Sequence, residues 1–242
     1  MEKKRQIAAV LILLALIGVI AYRHSTGKDL EKYEASFFDV FDTQTQIIAS
    51  SKEQFSEQMS LIKDKFQYYN DLYDIYHDYE GMNNIKTIND NAGIQPVKVD
   101  EEIIELLKLG ITMDEKTDGN MNIAMGSVLS IWHDYREAGS EDPYSAELPP
   151  MDELERAAEH TDIHDIVIDE EASTVYLTDP DMSLDVGSIG KGYAVQKVAE
   201  YAKNELGIQY MLFSVGGNVC AIGGHPGRSE FRILMWRVIR HI

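Results

Sequence analysis

One short segment, residues 185–192, concentrates residue types that bind phosphate. It contains Asp-Val-Gly-Ser-Ile-Gly-Lys-Gly, and an apolar helical pattern follows it directly. A glycine-rich turn that leads into a helix exposes backbone N–H groups and the positive end of the helix dipole, which favours a bound anion. Lys191 adds a positive charge, and Asp185 adds an acceptor for a polar group of the same ligand. This Gly–Lys turn therefore predicts a phosphate site, and the alternative is an ordinary turn between a strand and a helix.

The spacing of the glycines in the Gly–Lys turn excludes two common nucleotide motifs. The segment lacks the G-x-x-x-x-G-K-[ST] pattern of a P-loop. It also lacks the G-x-G-x-x-G pattern of dinucleotide-binding folds. The generic rules therefore leave the type of phosphate ligand open.

Two further segments carry polar and aromatic residues that suit a cofactor. Residues 117–122, Thr-Asp-Gly-Asn-Met-Asn, precede a helical pattern that contains Trp132. Residues 72–79 are rich in tyrosine, and asparagines follow at 83, 84 and 89. Aromatic rings can stack on a flavin or an adenine. The alternatives are a loop before a helix whose Trp132 packs in the core, and the end of an amphipathic helix followed by a capped loop.

Histidine and cysteine give no metal site. His160 and His164 alone have H-x-x-x-H spacing, but they fall at a helix end and a strand start, and no third ligand is near them in sequence. We therefore predict no metal there and assign no histidine a role. Cys220 is the only cysteine, which excludes an intrachain disulfide and a cysteine cluster.

The charge of the chain restricts its partners. Its 242 residues have a formal net charge of -19, which argues against nucleic acid as a partner because phosphate contacts need lysine and arginine. A nucleotide ligand would need a local basic site or a bridging divalent cation.

The N-terminus has the pattern of a membrane segment. A basic start precedes an apolar run over residues 7–22, and Arg23 and His24 close it. We predict a signal-anchor or signal peptide over 1–25, a tether over 26–36 and one domain over 37–242. Positive charge before the run places the domain outside the cytoplasm. The domain is then held at the cell membrane, or exported if the signal is cleaved.

Periodicity along the chain predicts an α+β fold in which helices flank a mixed sheet. Residues 83–93 and 137–150 are predicted to be irregular. The predicted helices are 52–76, 100–117, 125–135, 151–160 and 193–206, and the predicted strands are 37–48, 164–168, 174–177, 210–214, 218–222 and 231–239.

Taken together and in order, these segments resemble the ApbE family, the FAD:protein FMN transferases. The resemblance covers about residues 40–220. The matching pieces are Tyr76 with the asparagine-rich loop, Thr117-Asp-Gly-x-x-Asn-x-x-Met-Gly…Ile-Trp132, Leu184-Asp-x-Gly-x-Ile-Gly-Lys-Gly-Tyr-Ala194 and Ser214-x-Gly-Gly-Asn-Val219.

The resemblance implies a particular phosphoryl transfer. In this family FAD binds with Mg²⁺ at its pyrophosphate, and a threonine hydroxyl of a target protein attacks the phosphorus on the FMN side. AMP leaves, and FMN stays joined to the threonine. Such a reaction depends mainly on positioning and charge neutralisation. The implied partners are FAD and a flavin-acceptor protein, such as a redox-pump subunit or an extracytoplasmic flavoprotein.

The resemblance also implies roles for particular residues. Ser188 corresponds to a position that gives Mg²⁺ an oxygen through its backbone carbonyl. Asn122 departs from the family, which usually has aspartate there. The positions that correspond to FAD contacts are Phe41, Tyr76, Asn120, Met121, Asn122, Asp185 and Lys191.

The C-terminal part departs most from the family. Members normally continue for roughly another hundred residues, which carry a catalytic histidine and the aspartate and threonine ligands of Mg²⁺. Arginines cluster after Gly227, in contrast to the acidic remainder. We therefore expect a truncated or frameshifted ending and an inactive chain. The alternatives are a non-catalytic, membrane-tethered FAD carrier and a membrane-anchored interaction protein that binds no nucleotide.

Overall fold

The computed structural model describes residues 33–41, 43–49 and 55–223. The predicted membrane segment over 1–25 and the predicted strand over 231–239 lie outside these residues. Within them, no helix is both long enough and apolar enough to cross a membrane.

A four-stranded antiparallel sheet forms one side of the fold. Its strands β1 (Tyr33–Val40), β2 (Thr43–Ala49), β6 (Met211–Val215) and β7 (Asn218–Ile222) lie in the order β1-β2-β6-β7.

The prediction of one strand over 37–48 was wrong, because the chain reverses between β1 and β2. Phe41 has φ 55° there, and its N–H donates to Oδ1 of Asn70 at 2.8 Å. β1 also begins inside the segment that was expected to be a tether.

Helix α1 (Phe55–Leu72) packs against this sheet. The helical period of the sequence predicts that Phe55, Met59, Ile62, Phe66, Tyr69 and Leu72 face the core. All of them are buried except Phe55, which is half-buried. The ring of Phe66 meets Phe213 of β6 edge to face, with centroids 6.0 Å apart. This burial fixes the end of α1, from which several residues of the site described below emerge.

A short helix, α2 (Ile85–Asp90), replaces the irregular structure that was expected over 83–93. Asn84 caps it, because its side chain accepts from the Thr87 N–H while the Thr87 hydroxyl accepts from the Asn84 N–H. Asn84 is fully buried and also donates to the carbonyls of Asp71 and His77. The asparagine that suggested a loop is therefore a buried helix cap.

A second antiparallel sheet has the order β3-β5-β4, with β3 (Val97–Lys98), β4 (Ile166–Asp169) and β5 (Thr174–Leu177). A 3₁₀ turn, Ile163–Asp165, takes the start of the strand predicted over 164–168. The α+β class is confirmed, but two antiparallel sheets replace the expected mixed sheet. Short turns join β1 to β2, β4 to β5 and β6 to β7, and such connections allow only antiparallel pairing.

Four further helices complete the described fold. α3 (Glu101–Lys116) begins close to its predicted start and is capped by Asp100, whose side chain accepts from the Glu102 N–H. α4 (Gly126–Glu141) runs six residues past the predicted end at 135, into the expected loop. α5 (Met151–Ala158) is short, and α6 (Gly190–Asn204) packs its small buried residues against α1 and β7.

Candidate active site

A cavity of about 480 Å³ lies between the end of α1, helix α4 and the Gly–Lys turn. Its size is typical of a small-molecule site. The lining residues come from four parts of the chain: Phe41 after β1, seven residues over 70–79, Arg136 of α4, and Asp185, Val186, Gly187, Gly190 and Lys191 of the Gly–Lys turn.

The Gly–Lys turn opens directly into α6. Oδ1 of Asp185 accepts from the Gly187 N–H at 2.8 Å, and the Gly190 N–H donates to the Val186 carbonyl at 2.7 Å. α6 has no side-chain N-cap, and Lys191 stands in its first turn without a hydrogen bond or ion pair to the described residues. Both the helix end and the Lys191 ammonium therefore suit an anionic ligand in the cavity.

The segment before the Gly–Lys turn is held by residues that lie about sixty positions earlier in the chain. The Asp185 N–H donates to the Ile123 carbonyl at 2.9 Å, and the Gly126 N–H donates to the Ser183 carbonyl at 2.9 Å. Met125 and Ser183 form a parallel bridge. These contacts join two of the segments that were singled out from the sequence and fix where Asp185 stands.

A second attachment comes from α2. The Asn89 amide donates to the Leu184 carbonyl at 3.0 Å and accepts from the Leu184 N–H at 2.8 Å. Leu184 is fully buried. Asn89 therefore satisfies both backbone groups of a buried residue that adjoins Asp185.

Replacing Asn89 by alanine is expected to lower the free energy of unfolding by about 1–3 kcal/mol, because the buried Leu184 backbone loses its partners. Urea denaturation measures the change. Asn83→Ala is the control, since Asn83 is exposed and makes a single hydrogen bond, to the Lys98 carbonyl. Equal losses in both variants would contradict a special role for Asn89.

Asp74 organises the loop that carries Tyr76. Its carboxylate accepts from the Tyr76 N–H at 2.7 Å, from Nδ1 of His77 at 2.9 Å and from the Tyr79 hydroxyl at 2.7 Å. Burial raises the pKa of Asp74, but these hydrogen bonds outweigh it and hold the pKa below its usual value. The carboxylate therefore stays ionised and keeps the loop in one conformation.

Tyr76 stands at the mouth of the cavity and is 54% exposed. Its ring lies over His133 of α4, with centroids 5.1 Å apart and planes inclined by 30°. Burial, and next the charge of Asp185, raise the pKa of Tyr76. The phenol is therefore neutral at physiological pH and can offer a flat aromatic surface to a ligand.

The structure brings together four of the residues that the resemblance selected: Phe41, Tyr76, Asp185 and Lys191. Asn120, Met121, Asn122 and Ser188 do not line the cavity. Ser188 is exposed beside it.

The stretch 120–122 makes structural hydrogen bonds instead. The Asn122 amide donates to the Thr161 carbonyl at 2.8 Å and accepts from the Ala124 N–H at 2.7 Å. The Asn120 amide donates to the Thr117 carbonyl, and the Met121 N–H donates to the Thr117 hydroxyl. Trp132, for which core packing was the alternative, is 43% exposed.

Two charged lining residues, Asp74 and Arg136, were given no role by the sequence analysis. Asp74 was hidden among the aromatic residues of 72–79. Arg136 gave one signal that was not used: it is one of two arginines between Arg23 and Arg228 in a strongly acidic chain.

His160 makes an ion pair away from the cavity. Its Nδ1 lies 2.7 Å from Oδ2 of Asp179, and its Nε2 lies 4.0 Å from Oδ2 of Asp181. These three are the only group of metal-ligand type found among the described residues, and His164 is not part of it. The ion pair with Asp179 accounts for the geometry and attaches the end of α5 to the turn after β5.

This ion pair predicts a pH-dependent contribution to stability. The hydrogen bond between the two side chains raises the pKa of His160 above 6.5 and lowers that of Asp179 below 3.8. The ion pair should therefore stabilise the fold fully between about pH 3.8 and pH 6.5. This stabilisation should be lost as pH rises through the raised pKa of His160, and also as pH falls through the lowered pKa of Asp179. We expect the difference in unfolding midpoint between wild type and His160→Gln to follow this profile. For the control His164→Gln the difference should stay flat.

The matches to known proteins cover the part of the chain that forms this cavity. The sequence model of the ApbE family matches residues 41–240. A FAD:protein FMN transferase of Klebsiella pneumoniae is 29% identical over 139 residues, which are 57% of this chain and 42% of the relative. One of Treponema pallidum is 28% identical over 162 residues, 64% of this chain and 42% of the relative. The chain thus matches less than half the length of these relatives.

Solved structures agree with the fold. The ApbE protein of Thermotoga maritima superposes with a TM-score of 0.68 at 25% identity, over 82% of this chain and 61% of that one. The flavin transferase ApbE of Vibrio cholerae superposes with a TM-score of 0.69 at 19% identity, over 84% and 63%. Because the family model matches most of the sequence, this chain belongs to the ApbE family.

Proposed function

We propose that this protein transfers FMN from FAD to a threonine hydroxyl of an acceptor protein, with Mg²⁺ and with release of AMP. The observation that carries the proposal is the cavity in which Tyr76, Asp185 and Lys191 meet at the start of α6. The names of the matched relatives, FAD:protein FMN transferases, agree with it.

The residues of the cavity fit FAD by their chemistry. Lys191 and the uncapped start of α6 suit the negative diphosphate, which the net charge of -19 would otherwise repel. Tyr76 offers a ring on which a flavin or adenine can stack. Asp185 is an acceptor for a ligand hydroxyl or N–H group, although the Gly187 N–H occupies one of its oxygens.

The fit to Mg²⁺ depends on oxygens of the ligand as well as of the protein. Magnesium is commonly held by one or two protein oxygens together with substrate phosphates. The Ser188 carbonyl, in the part of the Gly–Lys turn beside the cavity, is the protein oxygen that we assign to it. Bound there, Mg²⁺ would neutralise charge on the diphosphate during transfer.

In the proposed reaction, the threonine oxygen forms a bond to the phosphorus on the FMN side. The bond from that phosphorus to the bridging oxygen breaks, and its electron pair leaves with AMP. The hydroxyl proton passes to a base. The described residues of the cavity contribute binding and orientation of FAD, which lower the barrier by fixing the geometry of attack.

A flavinylation assay tests the proposal. The full chain is incubated with FAD, Mg²⁺ and a flavin-acceptor domain, and the acceptor is inspected for flavin fluorescence after denaturing electrophoresis. A fluorescent acceptor band that is absent when the target threonine is replaced by valine would demonstrate transfer and overturn the expectation of an inactive chain. FAD retention without labelling would instead indicate a flavin carrier, and the absence of any FAD-induced thermal shift would contradict nucleotide binding altogether.

We also propose that residues 1–25 anchor the domain at the outer side of the cell membrane, where an extracytoplasmic acceptor protein is available. The supporting pattern is the basic start followed by the apolar run over 7–22. Protease added to intact spheroplasts should digest the domain. Protection of the domain until the cells are lysed would contradict this orientation.

A further inference from the structure

Arg136 lines the same cavity as Lys191 but comes from a different element. It lies near the end of α4, whereas Lys191 stands in the first turn of α6. These two are the only arginine and lysine residues among the described residues that line the cavity. Arg136 has no ion pair with a carboxylate of the described residues, in a protein that carries many carboxylates.

A neighbouring histidine holds the Arg136 guanidinium in place. Nη2 of Arg136 lies 2.7 Å from Nδ1 of His133, and Nε2 of His133 lies 2.9 Å from Oε1 of Glu137. Arginine can only donate, so Nδ1 is the acceptor and the ring proton is on Nε2, where it donates to Glu137. His133 therefore connects Glu137 to Arg136 and orients the guanidinium.

His133 also contacts Tyr76, since their ring centroids lie 5.1 Å apart and the Tyr76 hydroxyl lies 3.4 Å from Nδ1. His133 of α4 thus contacts both Tyr76 and Arg136, which give the cavity an aromatic ring and a positive charge. The other donors of the guanidinium have no partner among the described residues.

The acidic residues of the cavity do not neutralise this cation. Asp74 is occupied by Tyr76, His77 and Tyr79, and Oδ1 of Asp185 is occupied by the Gly187 N–H. An oriented, unpaired guanidinium and an unpaired ammonium at one cavity are suited to an anion with several oxygens, because arginine can bind two of them side by side.

We propose that Arg136 is a second phosphate-binding residue of the cavity, which acts together with Lys191 on a diphosphate, and that His133 is the residue that positions it. The inference rests on the proposed function insofar as the diphosphate belongs to FAD. The inference itself concerns how two cations from two helices recognise a diphosphate. This recognition is separate from the transfer reaction.

The test compares three probes in binding titrations with the full chain: FAD, riboflavin and inorganic pyrophosphate. Arg136→Ala should weaken FAD and pyrophosphate binding by about ten- to a hundredfold, the usual effect of losing a charged hydrogen bond. Riboflavin, which has no phosphate, should bind as it does to wild type. Arg156→Ala is the matched control, since Arg156 is exposed on α5 and pairs with Asp152 away from the cavity.

The role of His133 is tested by a double-mutant cycle. His133→Ala should weaken pyrophosphate binding, but should add nothing once Arg136 is already alanine. His133→Asn, whose amide can still accept from Arg136, should restore part of the affinity. A loss in His133→Ala that adds fully to that of Arg136→Ala would overturn the positioning role.

The outcomes separate this inference from the proposed function. If wild type binds pyrophosphate through Arg136 but does not bind FAD, the inference stands and the proposed function fails. If Arg136→Ala binds FAD and pyrophosphate as wild type does, or loses riboflavin equally, the inference is overturned. Wild type that binds none of the probes overturns both. Melting temperatures equal to that of wild type confirm that the variants are folded.

Discussion

Lys191→Ala is expected to bind FAD about ten- to a hundredfold more weakly than wild type, because a hydrogen bond to a charged group contributes about 1.5–3 kcal/mol. Lys191 stands in the first turn of α6 and has no protein partner among the described residues, so its ammonium is available to the ligand. In a chain with a net charge of -19, the loss of this local cation also removes attraction towards an anionic nucleotide.

Flavin fluorescence quenching or calorimetry on the full chain measures this loss. Lys203→Ala is the control, because Lys203 is an exposed lysine in the last turn of the same helix. Lys191→Arg keeps the charge and should retain most of the affinity at low salt. FAD affinity that is the same in Lys191→Ala and Lys203→Ala would refute the role given to Lys191.

Gly126→Ala is expected to destabilise the fold by about 1–3 kcal/mol, the usual cost of an overpacked site. A Cβ at Gly126 would lie 2.5 Å from the Ser183 carbonyl oxygen and 2.7 Å from its carbon. Backbone atoms cannot move aside as a flexible side chain can, so α4 and the strand-like segment at 183–185 must separate. The effect has the opposite sign to helix propensity, by which alanine is favoured over glycine by about 1 kcal/mol in a helix interior.

The same change should impair ligand binding, since the contact between Gly126 and Ser183 positions Asp185 relative to α4 and its Arg136. Urea denaturation measures the stability, and FAD titration measures the binding. Gly190→Ala is the control for stability, because a Cβ there would meet no atom closer than 3.6 Å. A Gly126→Ala midpoint equal to that of wild type would show that the two segments are not closely packed in solution.

Most of the helices could be predicted because their apolar residues recur with the period of a helix. The buried positions of α1 and of α3 are examples. The hairpin between β1 and β2 could not, since its reversal has Phe41 at φ 55°, a conformation that sequence rules assign to glycine or asparagine. The hydrogen bond that the Phe41 N–H donates to Oδ1 of Asn70, on another element, stabilises it.

The sequence by itself determined the local parts of the site. The glycines, Asp185 and Lys191 lie within eight residues, so the turn and its helix follow from local chemistry. The sequence also showed an aromatic segment around Tyr76. The order of the segments gave the family resemblance over about 40–220, and the match of the family model to 41–240 confirmed the family.

Only the tertiary structure decided which of these parts face one another. Arg136 enters the cavity because α4 continues past residue 135. Asn122 faces Thr161 rather than the cavity, and Asn89 holds Leu184 across 95 positions. Residue patterns report the conformation of neighbours in sequence, whereas these contacts depend on how buried helices and sheets pack, which no local spacing encodes.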